Sequence, residues 1–383
     1  MTQPAALTTA ERVQLITRNA EEVIGADEIA GLIDQGMQLR HYIGLEISGK
    51  LHLGTGLMCM QIIRDLQRAG VQCVVFLADW HTWINDKLGG DRTKIQRVAG
   101  GYFKEGLKAS LAALGGDPES LEFVLGSDLY HHNDQYWETL IEVGKNTTLS
   151  RIERSISIMG RQEGESVDFA KLIYPPMQVT DIFALKANIA HGGMDQRKAH
   201  VIARDVANYL HINPLRDSKG NVIKPIIIHH HLLLGLDKPP QWPLEPEKLR
   251  ELRTAMKMSK SKPKSAVFIH DTPDEIRSKI RKAFCPPPAD GLDFNPVLDW
   301  VEHLVFRAAE RPFEVTRKAE NGGDITYNSI EEVKVAYSEG SLHPGDLKNG
   351  IAEALINILA PVRKVFDENA EIKAMWSELE AML

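Results

Sequence analysis

At 383 residues, 43% hydrophobic and 25% charged, the chain has ordinary globular composition and the length for one large domain with a smaller one beside it. No stretch approaches the ~20 consecutive apolar residues that span a bilayer, and Met1 to Thr17 has no basic flank ahead of an apolar run. Neither a membrane protein nor a secretory leader is therefore expected, and the cytoplasm is the expected compartment. A net charge of -7 excludes a surface that binds nucleic acid everywhere, and three cysteines without metal-like spacing, Cys59, Cys73 and Cys285, exclude a disulfide scaffold.

From the N-terminus, Tyr42 to Glu46 predicts a short buried strand, Leu51-His52-Leu53-Gly54-Thr55-Gly56 a turn, and the residues after Gly56 a helix by their apolar spacing. Val71 to Ala78 predicts a buried strand, Asp91 to Leu114 a helix that ends at Gly115-Gly116, and Leu121 to Leu125 another strand. Residues 133–162 predict helices carrying Lys145, Arg151, Arg154 and Arg161 at polar positions, and Val222 to Ile228 predicts a further β-branched strand. This alternation is that of an α/β fold with a doubly wound parallel sheet. Leu236 to Pro246, rich in proline, reads as irregular.

Lys257-Met258-Ser259-Lys260-Ser261 begins a basic loop that continues through Lys262 and Lys264, with Arg277, Lys279, Arg281 and Lys282 soon after. Such a stripe on an acidic chain can neutralise phosphates locally; as a solvated helix face it would do nothing of the kind. Beyond it the pattern changes. Thr272-Pro273-Asp274-Glu275 caps a helix, Cys285-Pro286-Pro287-Pro288 ends it, and the remainder is almost entirely helical in period. A turn at Gly322-Gly323-Asp324-Ile325-Thr326 and a helix start at Pro344-Gly345-Asp346 punctuate it.

A strand-to-helix turn in an open parallel sheet lies where ligands bind, and the helix N-terminus beyond it attracts anions. Glycines there let a nucleotide approach the backbone. His52 in that turn and the mobile ammonium groups of Lys257 and Lys260 suit a nucleotide and its phosphates. The sequence H-L-G-T followed by K-M-S-K-S resembles the class I aminoacyl-tRNA synthetases. Tyr174-Pro175-Pro176-Met177-Gln178-Val179-Thr180-Asp181 and Gly192-Gly193-Met194-Asp195-Gln196-Arg197-Lys198 are similar to the amino-acid-binding segments of archaeal and eukaryotic-type tyrosyl-tRNA synthetases. The likeness runs from Tyr42 to Asn349.

The resemblance implies a Rossmann-like catalytic domain over residues 1–256, with a helical dimer-interface segment at 133–162. It further implies a K-M-S-K-S loop and linker over 257–270, and an α-helical anticodon-binding domain over 271–383. It implies a homodimer that takes L-tyrosine, ATP with its Mg²⁺, and tRNA(Tyr), with no protein-bound cofactor and no metal site of its own. His52, Lys257 and Lys260 would stabilise charge on the phosphates, with Ser259 and Ser261 adding hydroxyl donors. Tyr42 and Asp181 would read the substrate phenol, and Tyr174, Gln178 and Gln196 would hold its amino end. Gly44, Gly54, Thr55, Gly193, Asp195 and Lys260 would meet ATP, Asp195 at the ribose. Arg197 and Lys198 would meet the tRNA acceptor end, and Asp324 an anticodon base, with Phe306 as a stacking surface.

Each of these residues also has a structural reading: Asp181 as a helix cap, Tyr42 as core, Asp324 as a turn cap. Two departures from the family pattern matter. Thr55 stands where a second histidine is usual and cannot carry charge, and Gly126-Ser127-Asp128-Leu129-Tyr130 ends in tyrosine where the pattern has glutamine, which predicts a reshaped pocket wall. His229-His230-His231 at a strand end should alternate between faces, so the three do not converge on one ion. The sequence leaves two other functions open, a tryptophan-tRNA ligase and a non-catalytic tRNA-binding paralogue, the latter because of Thr55.

Overall fold

The computed structural model describes residues 7–161, 166–242, 247, 249–288, 292 and 294–382. The parts of the expected segments that fall on residues 1–6, 162–165, 243–246, 248, 289–291, 293 and 383 lie outside the described residues. Six strands form one sheet: β1 (Glu22–Ile24), β2 (Arg40–Leu45), β3 (Gln72–Leu77), β4 (Glu122–Leu125), β5 (Ile189–Gly193) and β6 (Ile226–His230). Their order is β1-β6-β5-β2-β3-β4, all neighbours parallel except β1, which runs antiparallel to β6. The chain winds outward from β2 through β3 to β4, then returns to the other side of β2 for β5 and β6. A crevice therefore opens between the carboxyl ends of β2 and β5, the topological switch point at which doubly wound sheets bind ligands.

Alternation along the strands divides the core in two. Ile43, Val75, Leu77, Ile189, Ile226 and Ile228 face one apolar cluster, whereas Tyr42, Phe76, Ala190 and Ile227 face the other. The first cluster continues into the C-terminal helices through Ile276, Ile351, Leu355 and Leu379, so the sheet and the helical region share one apolar core. The second lies against the helix Phe169–Ala184, which carries the Tyr174 to Asp181 segment.

Several expectations shift by a few residues, each for a local reason. The strand expected over Val222 to Ile228 runs instead over Ile226–His230, because Pro225 has no amide to give and Val222 pairs back with Arg216 across a turn held by Asp217. The helix expected over Asp91 to Leu114 is broken into Arg92–Val98 and Lys104–Ala113 by a widened turn over Ala99–Phe103. There a Cβ on Gly101 would come within 3.3 Å of Met375 on the last helix.

After residue 271 the described chain is helical apart from a hairpin, β7 (Phe313–Val315) with β8 (Ile325–Tyr327), which helical periodicity does not anticipate. Gly322 and Gly323 turn it with φ of +92° and +71°. Thr272 forms the full capping box with Glu275 at the start of Pro273–Arg281, an arrangement that contributes ~1 kcal/mol. The helix Ala370–Met382 closes back on earlier parts of the chain: Trp376 lies 3.6 Å from the ring of His270, and Lys50 bonds Glu380 at 2.9 Å.

Candidate active site

A cleft of about 600 Å³ opens at the switch point. The ends of β2 and β5, the turn after Leu51, the helix Phe169–Ala184 and the loop over Lys257 to Ser261 all line it. The two signature segments are joined by backbone. Leu53 N donates to Val267 O at 3.0 Å, Ile269 N donates to Leu51 O at 3.0 Å, and His52 pairs with Phe268 between them. The lysine loop is anchored on its other side, where Met258 N donates to Leu233 O and Gly235 N to Met256 O, each at 2.7 Å. Glycine at 56 is required by this seam, since a Cβ there would sit 2.4 Å from Ile269 Cγ2.

The turn itself closes on His52, whose carbonyl accepts from Thr55 N at 3.0 Å and Gly56 N at 2.8 Å. Burial, with Lys260 and Lys257 nearby, pushes the His52 imidazole down to about 3, so it is neutral and carries one N–H. Thr55 N approaches its Nδ1 at 3.4 Å, which leaves Nε2 to hold that proton. The Lys260 ammonium donates to Ser48 Oγ at 2.9 Å and lies over the Phe103 ring. Burial lowers its pKa to about 8 against the attraction of Glu46. Lys257 is ion-paired with Asp195, so the carboxylate expected at a ribose here holds a lysine expected at a phosphate.

One face of the helix Phe169–Ala184 presents Tyr174, Gln178 and Asp181, spaced four and then three residues apart. Tyr174 donates its hydroxyl to Glu46 Oε1 at 2.8 Å, and Asn85 Nδ2 donates to the same oxygen at 2.9 Å. Gln178 Nε2 donates to Gln196 Oε1 at 3.2 Å, and Gln196 Nε2 to Ile158 O at 3.0 Å. Glycine at 44 gives Tyr42 its place, since a Cβ there would lie 2.4 Å from the Tyr42 hydroxyl oxygen.

Asp181 sits behind this wall, fully buried rather than capping a helix. Its Oδ1 accepts from Tyr130 at 3.0 Å and Tyr136 at 2.9 Å, whereas Oδ2 has no partner and lies 3.7 Å from His81 Nε2, also without one. Burial raises the Asp181 carboxyl above its usual range, and the two phenols pull it back. Asp181 adds to burial in holding the Tyr42 phenol protonated.

Tyr42, Gly44, His52, Gly54, Thr55, Tyr174, Gln178, Gly193, Asp195, Gln196, Lys257 and Lys260 thus all line one cleft, with Asp181 in the layer beneath. Arg197 and Lys198 do not line it. Arg197 Nε meets both oxygens of Glu22 on β1, at 3.0 and 2.8 Å, and Lys198 Nζ donates to Arg154 O at 2.6 Å. Asp324 caps the hairpin turn through Arg317 N at 2.9 Å, and Phe306 packs part-buried against the main core. Sequence reasoning missed Tyr136, His81 and Ser48. None belongs to a motif: Tyr136 and His81 reach the site only through the chain's return, and Ser48 lies in the unmarked stretch between the first strand segment and the His52 turn.

The three adjacent histidines separate as strand alternation requires. His229 meets His200 at 3.0 Å and Glu22 at 2.8 Å, His230 meets His191 at 2.8 Å, and His231 meets Glu21 at 3.1 Å and Asp299 at 2.7 Å. Among the described residues, His231, Asp299 and His303 bring ligand-type atoms within 4.8 Å of one another. Both nitrogens of His231 face carboxylates, which, against burial, lift it to about 9, and His303 stacks on it at 3.9 Å. The arrangement is that of a paired imidazolium.

Comparison with known proteins identifies the family. Residues 35–360 match the family described as tRNA synthetases class I (W and Y). The tyrosine–tRNA ligase of Thermococcus sibiricus is 57% identical over 363 residues, 94% of this chain and 96% of that protein. The crystal structure of tyrosyl-tRNA synthetase complexed with L-tyrosine from Pyrococcus horikoshii has a TM-score of 0.93 at 53% identity, covering 97% of this chain and 100% of that one. Tryptophanyl-tRNA synthetase from Aeropyrum pernix, at 19% identity, a TM-score of 0.64 and coverage of 93% and 85%, shares the fold alone.

Proposed function

The chain belongs to the class I tRNA synthetases of the tryptophan and tyrosine family, and we infer that it is a tyrosine–tRNA ligase. The observation that carries this reading is 57% identity to a tyrosine ligase across 94% of the chain, against 19% to a tryptophanyl enzyme of the same fold. Such a ligase joins the carboxylate of L-tyrosine to the α-phosphate of ATP, expels pyrophosphate, and then esterifies the terminal ribose of tRNA(Tyr). The substrate carboxylate is itself the nucleophile, so the protein supplies position and charge rather than a covalent catalyst.

In this reading neutral His52 donates to a phosphate oxygen while Lys260 and Lys257 close on the leaving group. Lys257 exchanges Asp195 for phosphate as it does so, and Asp195 is released to accept from the ribose hydroxyls. Gly44, Gly54 and Gly193 keep the floor of the cleft open to the nucleotide, and Thr55 gives a hydrogen bond where a second histidine would give charge. Tyr174, Gln178 and Gln196 receive the amino end, and Tyr42 with Asp181 reads the phenol. Mg²⁺ brought in with ATP would offset charge on the phosphates. The chain offers that ion no free carboxylate in this reading, because Asp195 passes from Lys257 to the ribose and Glu46 accepts from Tyr174 and Asn85.

Three further assignments complete the proposal. We assign a catalytic part to 1–256, a loop to 257–270 and an anticodon-binding part to 271–383; in its support, Asp324 is exposed on a hairpin turn that a base can reach. A homodimer through residues 133–162 fits the outward Ile141 and Leu149, 64% and 63% exposed. Arg197 and Lys198 serve the acceptor end only after Arg197 leaves Glu22. We place the reaction in the cytoplasm.

The test is esterification of labelled tyrosine to tRNA(Tyr) by the purified chain with ATP and Mg²⁺. Acid-precipitable tyrosine that disappears when ATP is omitted is expected. Folded protein that binds this tRNA yet charges none of it would instead favour the non-catalytic relative that Thr55 suggests.

A further inference from the structure

Three histidines that no part of the reaction uses form a hydrogen-bonded chain running into the cleft. They stand on neighbouring strands, His41 on β2, His191 on β5 and His230 on β6. The registers pair His41 with Ile189, and Gly193 with His230, so each histidine stands two residues further along than the one beside it. That diagonal carries the imidazoles on one face of the sheet. His41 Nε2 meets His191 Nδ1 at 3.0 Å, and His191 Nε2 meets His230 Nδ1 at 2.8 Å. His230 Nε2 then faces Cys59 Sγ at 3.9 Å, and Cys59 donates its thiol to Gly54 O at 3.6 Å, inside the H-L-G-T turn.

All three rings are buried, His230 at 8% exposure and lining the cleft, and burial keeps each of them neutral. A neutral imidazole has one proton, so the chain can point only two ways. If the protons point inward, His41 Nδ1 becomes a buried N–H, and that atom has no partner. If they point toward the cleft, His41 Nδ1 holds only a bare lone pair, and every N–H in the chain has an acceptor. Orphaned buried donors are rarer than under-used acceptors, so the second polarity wins. The thiol fits this polarity: burial keeps Cys59 protonated, and Gly54 O at 3.6 Å is an acceptor for that proton, which leaves the sulfur to accept.

We propose that His230 is a nucleotide-binding residue, its Nε2–H held as a donor by His191 and His41 and given to an acceptor atom of the bound adenine nucleotide. This rests on the reading of the cleft as the ATP site. In the free protein the N–H has only a long contact to sulfur, a weak acceptor that a nucleotide oxygen or nitrogen displaces. The position fits, because Gly193, Asp195 and His230 all line the same cleft. The ring nitrogen and the carboxylate assigned to the ribose therefore border the same opening. His41 and His191 are positioning residues, acting through His230.

Two readouts test the proposal on the full-length protein. Ring-nitrogen NMR of the unliganded protein is expected to give the Nε2–H tautomer at His230, and that proton is expected to shift on addition of a non-hydrolysable ATP analogue. In tyrosine-dependent pyrophosphate exchange, His230→Leu is expected to raise the KM for ATP about tenfold, the loss of one hydrogen bond, with little change in the KM for tyrosine. His230→Gln, which keeps a donor near the same point, is expected to restore most of it. An Nδ1–H tautomer at His230, or an unchanged KM for ATP in folded His230→Leu, would overturn the proposal. Failure of the unsubstituted protein to exchange pyrophosphate would fall on the reading of the cleft instead, and the tautomer would still decide the polarity of the chain.

Discussion

Replacing Asp181 by alanine is expected to abolish most of the preference for tyrosine over phenylalanine while leaving the protein able to activate both. Phenylalanine fits any pocket shaped for tyrosine, so discrimination must come from buried polar groups that only a phenol satisfies. Asp181 Oδ2 is such a group, fully buried and unpartnered, with Tyr42 on the cleft wall nearby. Tyrosyl-tRNA synthetases, whose sites are built this way, reject the analogue by roughly 10⁵. The alanine variant also removes the carboxylate that Tyr130 and Tyr136 donate to, leaving them only the longer contacts to His81 Nδ1 at 3.5 Å and Met177 O at 3.4 Å, so its folding must be checked. Asp181→Asn keeps an acceptor for those two phenols and separates the effects. The quantity to compare is the ratio of kcat/KM for the two amino acids. A ratio unchanged in both folded variants would take Asp181 out of the reading of the hydroxyl.

The second large effect concerns Lys260. Its ammonium is lowered to about 8 by burial, countered in part by Glu46 and lowered further by Lys87. The charged form is the one that stabilises phosphate, and it is the form lost as pH rises through about 8. The kcat/KM for ATP, which reports the free enzyme, is therefore expected to fall on the alkaline side with an apparent pKa near that value. Lys260→Arg removes the titration, because a guanidinium stays charged, and should carry the plateau to higher pH. Lys260→Ala removes the donor altogether and is expected to cost about 10²–10³ in rate, the usual effect of deleting one preorganised donor to developing charge. Identical alkaline limbs in the wild type and Lys260→Arg would assign the titration to another group.

What the sequence disclosed, it disclosed through short-range pattern. The strand, turn and helix around His52 are contiguous, and the lysine loop is a motif of five residues, so both could be read directly. That they are joined through Leu53 to Val267 and Ile269 to Leu51 could not be read, because it depends on a loop returning from more than two hundred residues away. The same limit hid Tyr136, which reaches Asp181 only because the helix Asp134–Lys145 packs on Phe169–Ala184. β1 was invisible at three residues, yet it supplies the Glu22 that holds both Arg197 and His229. Strand alternation did predict that His229, His230 and His231 would part company. Which partners they found was fixed by the order of strands, and that order is a property of the whole chain.

Pyrophosphate exchange into ATP, driven by tyrosine, tryptophan or phenylalanine in parallel and without tRNA, tests the central claim most directly, because it isolates adenylate formation from everything the tRNA contributes. Exchange with tyrosine, and almost none with the other two, is the predicted result. Exchange driven by tryptophan, or by none of the three with folded protein, would contradict it.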